Sequence, residues 1–334
     1  MEKFLSIGEI LIRFTPKNFD VYGNSNEFEC FYGGSEANIS SMLSAWDIET
    51  SILSALPDND IAKNIKRYFR GIGVDIKNIL TKGEKIGYYF LERSSGVRNS
   101  SVIYDRKHSS FSELSIEDID INEVLEGVTW LHFSGITLAV GEKSREIVRE
   151  VVKEAKKRNI FISMDLNFRS KMATFMEAKN YATELAPFAD ICFGIEPIMV
   201  NDKDITMFDR ETSTKEDIFK RMKELKEKFG FKYIFHTERE NDKEDNNSYY
   251  AYALGEEEKA ESVKLTTKMV ERVGSGDAFV SGVIYSIMKE KTLKEAIDFG
   301  VAAATLKCTI KGDSMLVNPK DVEKIIGEKN SIER

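Results

Sequence analysis

Cysteine is scarce: Cys30, Cys192 and Cys308 stand far apart in 334 residues. An odd set without a CxxC pair supports neither a disulfide framework nor a thiolate metal site, and it predicts three buried free thiols. His108, His132 and His236 are equally scattered, which argues against zinc. No apolar run approaches the roughly 20 residues that a membrane helix needs. The start, Met1-Glu2-Lys3 followed by strand-like sequence, lacks the basic and apolar regions of a signal peptide, so the expectation is a cytoplasmic protein with no membrane partner. A basic surplus is missing too. With a net charge of −8 and no dense Lys/Arg face, nucleic acid is disfavoured as a partner. Lys and Glu instead mix over 144–158 and 215–228 at spacings that make solvated helix-face pairs. No Gly-x-Gly-x-x-Gly follows the first strand, which disfavours a dinucleotide-binding dehydrogenase.

The apolar fraction of 42% suits a soluble globular enzyme, and a chain of this length predicts one large unit over 1–334 with an appendage. From Thr129 onward strand-like and helix-like stretches alternate, the pattern of a parallel sheet wrapped by helices. Strands are expected at 130–134, 161–165, 191–193 and 233–235, and helices at 145–157, 178–188, 218–229, 277–288 and 292–308. An opening strand is read over 4–14. Between it and Gly33, residues 20–31 carry aromatic and apolar side chains without helical period, and 86–92 with 101–106 reads as a hairpin around Ser94-Ser95-Gly96. These segments, about 14–31 and 86–106, predict a small accessory sheet that includes Tyr22, Phe28, Tyr88 and Tyr89. Residues 238–247, ERENDKEDNN, hold no apolar side chain and read as a solvated loop.

Two glycine-rich elements carry chemistry. In Val273-Gly274-Ser275-Gly276-Asp277-Ala278-Phe279 two glycines precede a carboxylate where an apolar helix begins. Such a turn brings backbone N–H groups to an anion at the positive end of a helix, and Asp277 there can take a proton from a hydroxyl. The other element, Gly33-Gly34-Ser35-Glu36-Ala37-Asn38, opens an amphipathic segment running to about Trp46. Gly34 permits close backbone approach, and Asn38 on the first turn offers both donor and acceptor.

This pair resembles the signature elements of the ribokinase (PfkB) family of sugar kinases, and the likeness runs from Phe4 to about Ile325. The resemblance implies a three-layer α/β/α sandwich with a mainly parallel central sheet and a small β-sheet lid over the sugar, the lid often forming a homodimer or higher homo-oligomer. It implies ATP and Mg²⁺, with Asp277 as general base and the amides of Gly274, Ser275 and Gly276 as an anion hole. Within the family, Tyr104-Asp105-Arg106, Asp165-Leu166-Asn167-Phe168-Arg169, Ser134-Gly135-Ile136 and Lys311-Gly312-Asp313 resemble the 2-keto-3-deoxygluconate kinases. A sugar acid carries a carboxylate that guanidinium groups bind by forked, charge-assisted hydrogen bonds. On this likeness Gly33, Gly34, Asn38, Tyr89, Tyr104, Arg106, Arg169 and Asp277 meet the sugar acid. Asn167, Thr237, Gly274, Gly276, Ala303 and Gly312 meet the nucleotide, with Ala302 and Leu306 beside Ala303 either in an adenine pocket or in plain helix packing. Arg106 could instead pair with Asp105 or another acid. Two departures stand out: 238–247 lacks the glycines of the family's Lys- or Thr-x-Gly-x-x-Gly turn, and Gly194-Ile195-Glu196-Pro197 replaces an Asn-x-x-Glu motif. Glu196 is then either a water-mediated contributor to Mg²⁺ or a surface acid before a turn proline. A ketohexose kinase such as a fructokinase, and a catalytically weak sugar-binding regulator, are the rival readings.

Overall fold

The computed structural model describes residues 2–210, 212–242 and 246–327. The chain begins the main sheet with β1 (Lys3–Ile7) and leaves at once for two strands of a second sheet, β2 (Leu11–Pro16) and β3 (Phe28–Gly33). It returns with β4 (Glu49–Leu56) and β5 (Ile79–Thr81), then departs again for β6 (Gly87–Glu92) and β7 (Ser101–Asp105). After that it stays: β8 (Trp130–Ser134), β9 (Phe161–Asp165), β10 (Ile191–Phe193), β11 (Tyr233–Asn241), β12 (Asn246–Leu254), β13 (Lys259–Glu261) and β14 (Leu265–Lys268). The main sheet has the order β13-β12-β11-β10-β9-β8-β1-β4-β5, with β14 on β12. Its pairings from β11 across to β5 are parallel, while β12 and its partners are antiparallel. The second sheet, β3-β2-β6-β7, is the lid.

Successive side chains of a strand face opposite ways, so a strand covered on both sides must be apolar at every position. Leu5, Leu131, Ile162 and Cys192 pack on one face of the main sheet with Ile147, Val151, Tyr181 and Leu225 of its helices. Phe4, Trp130, Ile191 and Phe193 pack on the other with Ile39, Phe279, Val283 and Val301. The covering helices start where the sequence supplies caps. Thr174, Thr214 and Thr292 each accept from the third amide of the helix they open, and Glu177, Asp217 and Glu295 return the bond. The expected helix-face pairs form, among them Lys153 with Glu150 and Lys157 with Glu154.

Several sequence expectations change. The opening strand over 4–14 is two strands in two sheets, because an apolar pattern continues across Gly8, Glu9 and Ile10 while the backbone turns away there. The accessory sheet therefore starts earlier, at Leu11. The stretch 238–247 is no open loop: β11 reaches Asn241 and β12 begins at Asn246, with Arg239 opposite the buried Tyr249. Pairing to an apolar partner strand outweighs its polar composition. Residues 243–245 of that stretch lie outside the described residues. Cys192 and Cys308 are buried free thiols as expected, but Cys30 is exposed, since it lies on the lid's edge strand. No helix among the described residues is long and apolar enough to cross a membrane.

The Ser275–Met288 helix, whose first turn holds Asp277, touches the Leu293–Lys307 helix backbone to backbone. A methyl added at Gly282 would stand 2.8 Å from the Gly300 Cα. Gly282→Ala is thus expected to destabilise by about 1–3 kcal/mol through overpacking, against the helix propensity that favours alanine by about 1 kcal/mol. Urea unfolding measures the sign, and a gain in stability would show that the two helices can separate freely.

Candidate active site

The 274–276 turn is built for glycine. Gly274 is left-handed, with φ 77°, and caps the Ser275–Met288 helix. A Cβ on it would sit 1.9 Å from the Asp313 carbonyl oxygen. The Ser275 amide donates to the Arg272 carbonyl at 3.1 Å, so this member of the expected anion hole is occupied. The amides of Gly274, Gly276 and Asp277 have no acceptor among the described residues. They are the free donors of the turn, at the end of the helix where its dipole favours negative charge.

Asp277 is buried, and both its oxygens are held by the other glycine element. Ser35 donates to Oδ1 at 2.8 Å, and the Asn38 amide to Oδ2 at 2.7 Å. Gly34, with φ 123°, lets that helix start against the body, since a Cβ there would meet the Glu9 carbonyl at 2.2 Å. Burial pushes the Asp277 carboxyl up, the bonds from Asn38 and Ser35 and the charge of Arg169 pull it down, and Asp313 pushes it up again; the net direction is upward. Asn167 joins the same chain of bonds by donating to Ser35 Oγ at 2.8 Å.

The lid contributes one row of side chains. Phe31, Arg13, Tyr89 and Tyr104 are register partners across β3, β2, β6 and β7. Arg13 lies 4.3 Å from the Phe31 ring centroid, donates to Asp313 at 2.7 Å and is paired with Glu271. The Tyr89 hydroxyl donates to the other Asp313 oxygen at 2.5 Å. Gly33 is required beneath, because its Cβ would stand 2.7 Å from that same oxygen. Burial raises Asp313, opposed by Arg13 and Tyr89, while Tyr89 itself is held well above a free phenol by burial and by the Asp313 charge. Arg13 and Glu271 were not singled out from the sequence, and Asp313 only within the string Lys311-Gly312-Asp313. One signal was present: Arg13 is a lone charge inside the apolar run Leu11-Ile12-Arg13-Phe14.

Arg106 is buried at 7% exposure and donates to Glu9 at 2.5 Å; its pair is Glu9, not Asp105, which pairs with Lys85. Glu9 keeps one buried oxygen without a partner. Arg169 is exposed, forms no ion pair among the described residues, and lowers both Asp277 and Asp165 by its charge. Asp165, at the end of β9, accepts the Asn167 amide at 3.0 Å. Burial, helped by the charge of Asp277, lifts it to about 7.

Other expected residues stand differently. Ala303 is fully buried between helices and sheet and reaches no cleft, whereas Leu306 is half-buried. For Ala303 this burial fits the helix-packing alternative. Gly312, φ 97°, donates its amide to Glu271 at 2.8 Å, which places it beneath the lid. Thr237 lies on β11 opposite Ala251. Glu196 is paired with Lys179 at 3.2 Å and Arg221 at 3.1 Å and accepts the Phe208 amide at 3.2 Å. The water-mediated link to Mg²⁺ finds no free carboxylate there, and no group of three or more His, Cys, Asp or Glu able to hold a metal occurs among the described residues.

A family model described as "pfkB family carbohydrate kinase" matches residues 1–320. The chain is 25% identical to a 2-dehydro-3-deoxygalactonokinase of Haloferax volcanii, over 97% of this chain and 96% of that protein. It superposes on the crystal structure of a 2-dehydro-3-deoxygluconokinase from Thermotoga maritima with a TM-score of 0.91 and 30% identity, covering 98% of each chain. A putative ribokinase II from E. coli, solved in complex with ATP and Mg²⁺, shares the fold with a TM-score of 0.77 at 18% identity, over 98% of this chain and 99% of that one.

Asp165 makes stability depend on pH. Its folded pKa of about 7 lies above the unfolded value of about 3.9, so the native state holds the extra proton between them and stability falls as pH rises through that window. Asp165→Asn keeps the acceptor for Asn167 and removes the titration. The variant should gain several degrees in Tm relative to wild type between pH 5 and pH 8, and a pH-independent difference would mean that Asp165 ionises as freely in the native chain as in the unfolded one.

Proposed function

The chain belongs to the pfkB family of carbohydrate kinases, and we propose that within it the protein is an ATP-dependent sugar-acid kinase that phosphorylates the terminal C6 hydroxyl of 2-keto-3-deoxygluconate, also called 2-dehydro-3-deoxygluconate. The observation that carries this reading is the Asp277 carboxylate, held by Ser35 and Asn38 beside three amides without an acceptor among the described residues and within reach of the charge of Arg169, which has no ion pair among them. Asp277 takes the C6 hydroxyl proton as the oxygen forms its bond to the γ-phosphorus; the bond from that phosphorus to the β–γ bridging oxygen breaks, and ADP leaves. The Gly274, Gly276 and Asp277 amides face the charge on the transferred group, a type of donor worth roughly 10²–10³-fold each. Mg²⁺, held chiefly by phosphate oxygens and water, would supply further neutralisation. Arg169 and the free edge of Arg106 take the substrate carboxylate, and Tyr89, Tyr104, Asn38 and Asp313 take hydroxyls. The lid's far face, where Phe28 is 39% and Ile103 52% exposed, suits the expected homo-oligomer. A coupled assay over sugars and sugar acids tests the reading: a preference for fructose, or no turnover with any acid, would overturn it.

Asp277→Asn should lower kcat by at least about 10²-fold and leave the dissociation constant of the sugar acid nearly unchanged, because the amide keeps the shape and loses the base. Unchanged kcat would remove Asp277 from the reaction.

Arg169→Ala should raise the KM for the sugar acid by about 10- to 150-fold, and far less for any neutral sugar that is turned over. Arg106→Ala should do the same at an added cost of about 3–5 kcal/mol in stability, since Glu9 would stay buried and unpaired. Equal losses for acid and neutral sugars would assign the arginines to structure.

A further inference from the structure

The deeply set arginines of the protein are paired with carboxylates: Arg13 with Asp313 and Glu271, Arg106 with Glu9, Arg221 with Glu196 and Asp204. Near the 274–276 turn two arginines differ: Arg239, half-buried, and Arg272, exposed, make no ion pair among the described residues, although they stand close enough for the charge of Arg239 to act on Arg272. The acids nearest Arg239 in sequence are engaged elsewhere. Glu238 pairs with His236 at 2.6 Å, and Glu240 with Lys264 at 2.6 Å.

Arg239 is aimed by its strand. It stands opposite Tyr249 in the β11–β12 register, its guanidinium 5.0 Å from that ring's centroid and donating to the phenol oxygen at 3.3 Å. Its Nε is buried without a partner among the described residues. A Cβ placed on Gly276 would come within 3.6 Å of its Nη2, so the guanidinium lies along the turn whose amides are free. Arg272 belongs to the turn itself, since its carbonyl accepts the Ser275 amide. Burial, and after it the positive charges of Arg239 and Arg169, hold Arg272 below an ordinary arginine. Like charges gathered in an acidic protein, beside unpaired amides at a helix start, are stabilised by an anion carrying several charges.

We propose that Arg239 and Arg272 form a guanidinium clamp that holds the terminal phosphates of the nucleotide against the 274–276 turn. This assignment rests on the kinase reading. It gives the hairpin that lacks glycine a means of holding phosphate: a side chain reaches over the turn where a glycine backbone would otherwise approach.

Isothermal titration calorimetry on the full chain tests the clamp, with tripolyphosphate, ATP, adenosine and 2-keto-3-deoxygluconate as probes. Arg239→Gln and Arg272→Gln, checked for folding by thermal unfolding, should each weaken tripolyphosphate and ATP by about 10- to 150-fold. Adenosine and the sugar acid should bind as to wild type. Arg239→Lys keeps the charge and the strand, and should recover part of the loss. Unchanged tripolyphosphate affinity in both Gln variants would overturn the clamp, as would equal weakening of adenosine and sugar acid. Wild-type protein that binds tripolyphosphate through Arg239 but turns over no sugar would sink the kinase reading and leave the clamp standing. Wild-type protein that binds neither ATP nor tripolyphosphate would overturn the clamp itself.

Discussion

One carboxylate joins the two ends of the chain. Ser35 and Asn38 come from the first turn of one helix and Asp277 from the first turn of another, so two helix starts face each other across a single negative charge. The helix-start dipoles favour a negative charge there, and side chains of the first helix satisfy both carboxylate oxygens. The glycines follow from this requirement. Gly34 and Gly274 each bring backbone closer than a Cβ would allow, one against Glu9 and the other against Asp313. The Asp277 carboxylate is therefore held in place through both of its oxygens.

The periodic parts of the chain were legible. The strands at 130–134, 161–165 and 191–193 coincide with what the apolar pattern gives, because a strand buried on both faces leaves a continuous apolar run between turn signals. Both glycine elements were legible too, since few other uses need glycine beside a carboxylate at a helix start. What escaped was long-range. Nothing local marks Asp313 as the partner of Arg13 and Tyr89, far away in sequence, and nothing local splits the run over 4–14 between two sheets. Composition misled at 238–247, where the decisive fact is the partner strand with its buried Tyr249. At Ala303 the family likeness left a pocket wall and plain helix packing both open, and its full burial fits the second.

The two faces of the lid are held by different forces. On one, Ile12, Tyr32 and Tyr88 pack with Ile65 and Phe69 of the helix Asp60–Gly71, an apolar anchor. On the other, Arg13 and Tyr89 reach Asp313 through charge and hydrogen bonds. The apolar side is indifferent to what enters the cleft, while the polar side offers donors that a sugar can also use. On the proposed reading the apolar side would keep the lid attached while its inner row exchanges partners.

Asp313 is then an incumbent ligand. On the proposed kinase reading, a sugar entering beneath the lid would not fill an idle site; it would compete for donors with a carboxylate already satisfied by Tyr89 and Arg13. Only a molecule able to return as many hydrogen bonds as it displaces gains from the exchange, because a donor left bare under the lid costs more than a contact foregone. Discrimination is in this sense a toll on exchange, collected before any phosphate moves, and a sugar short of one hydroxyl would be turned away by the very groups that would have held it.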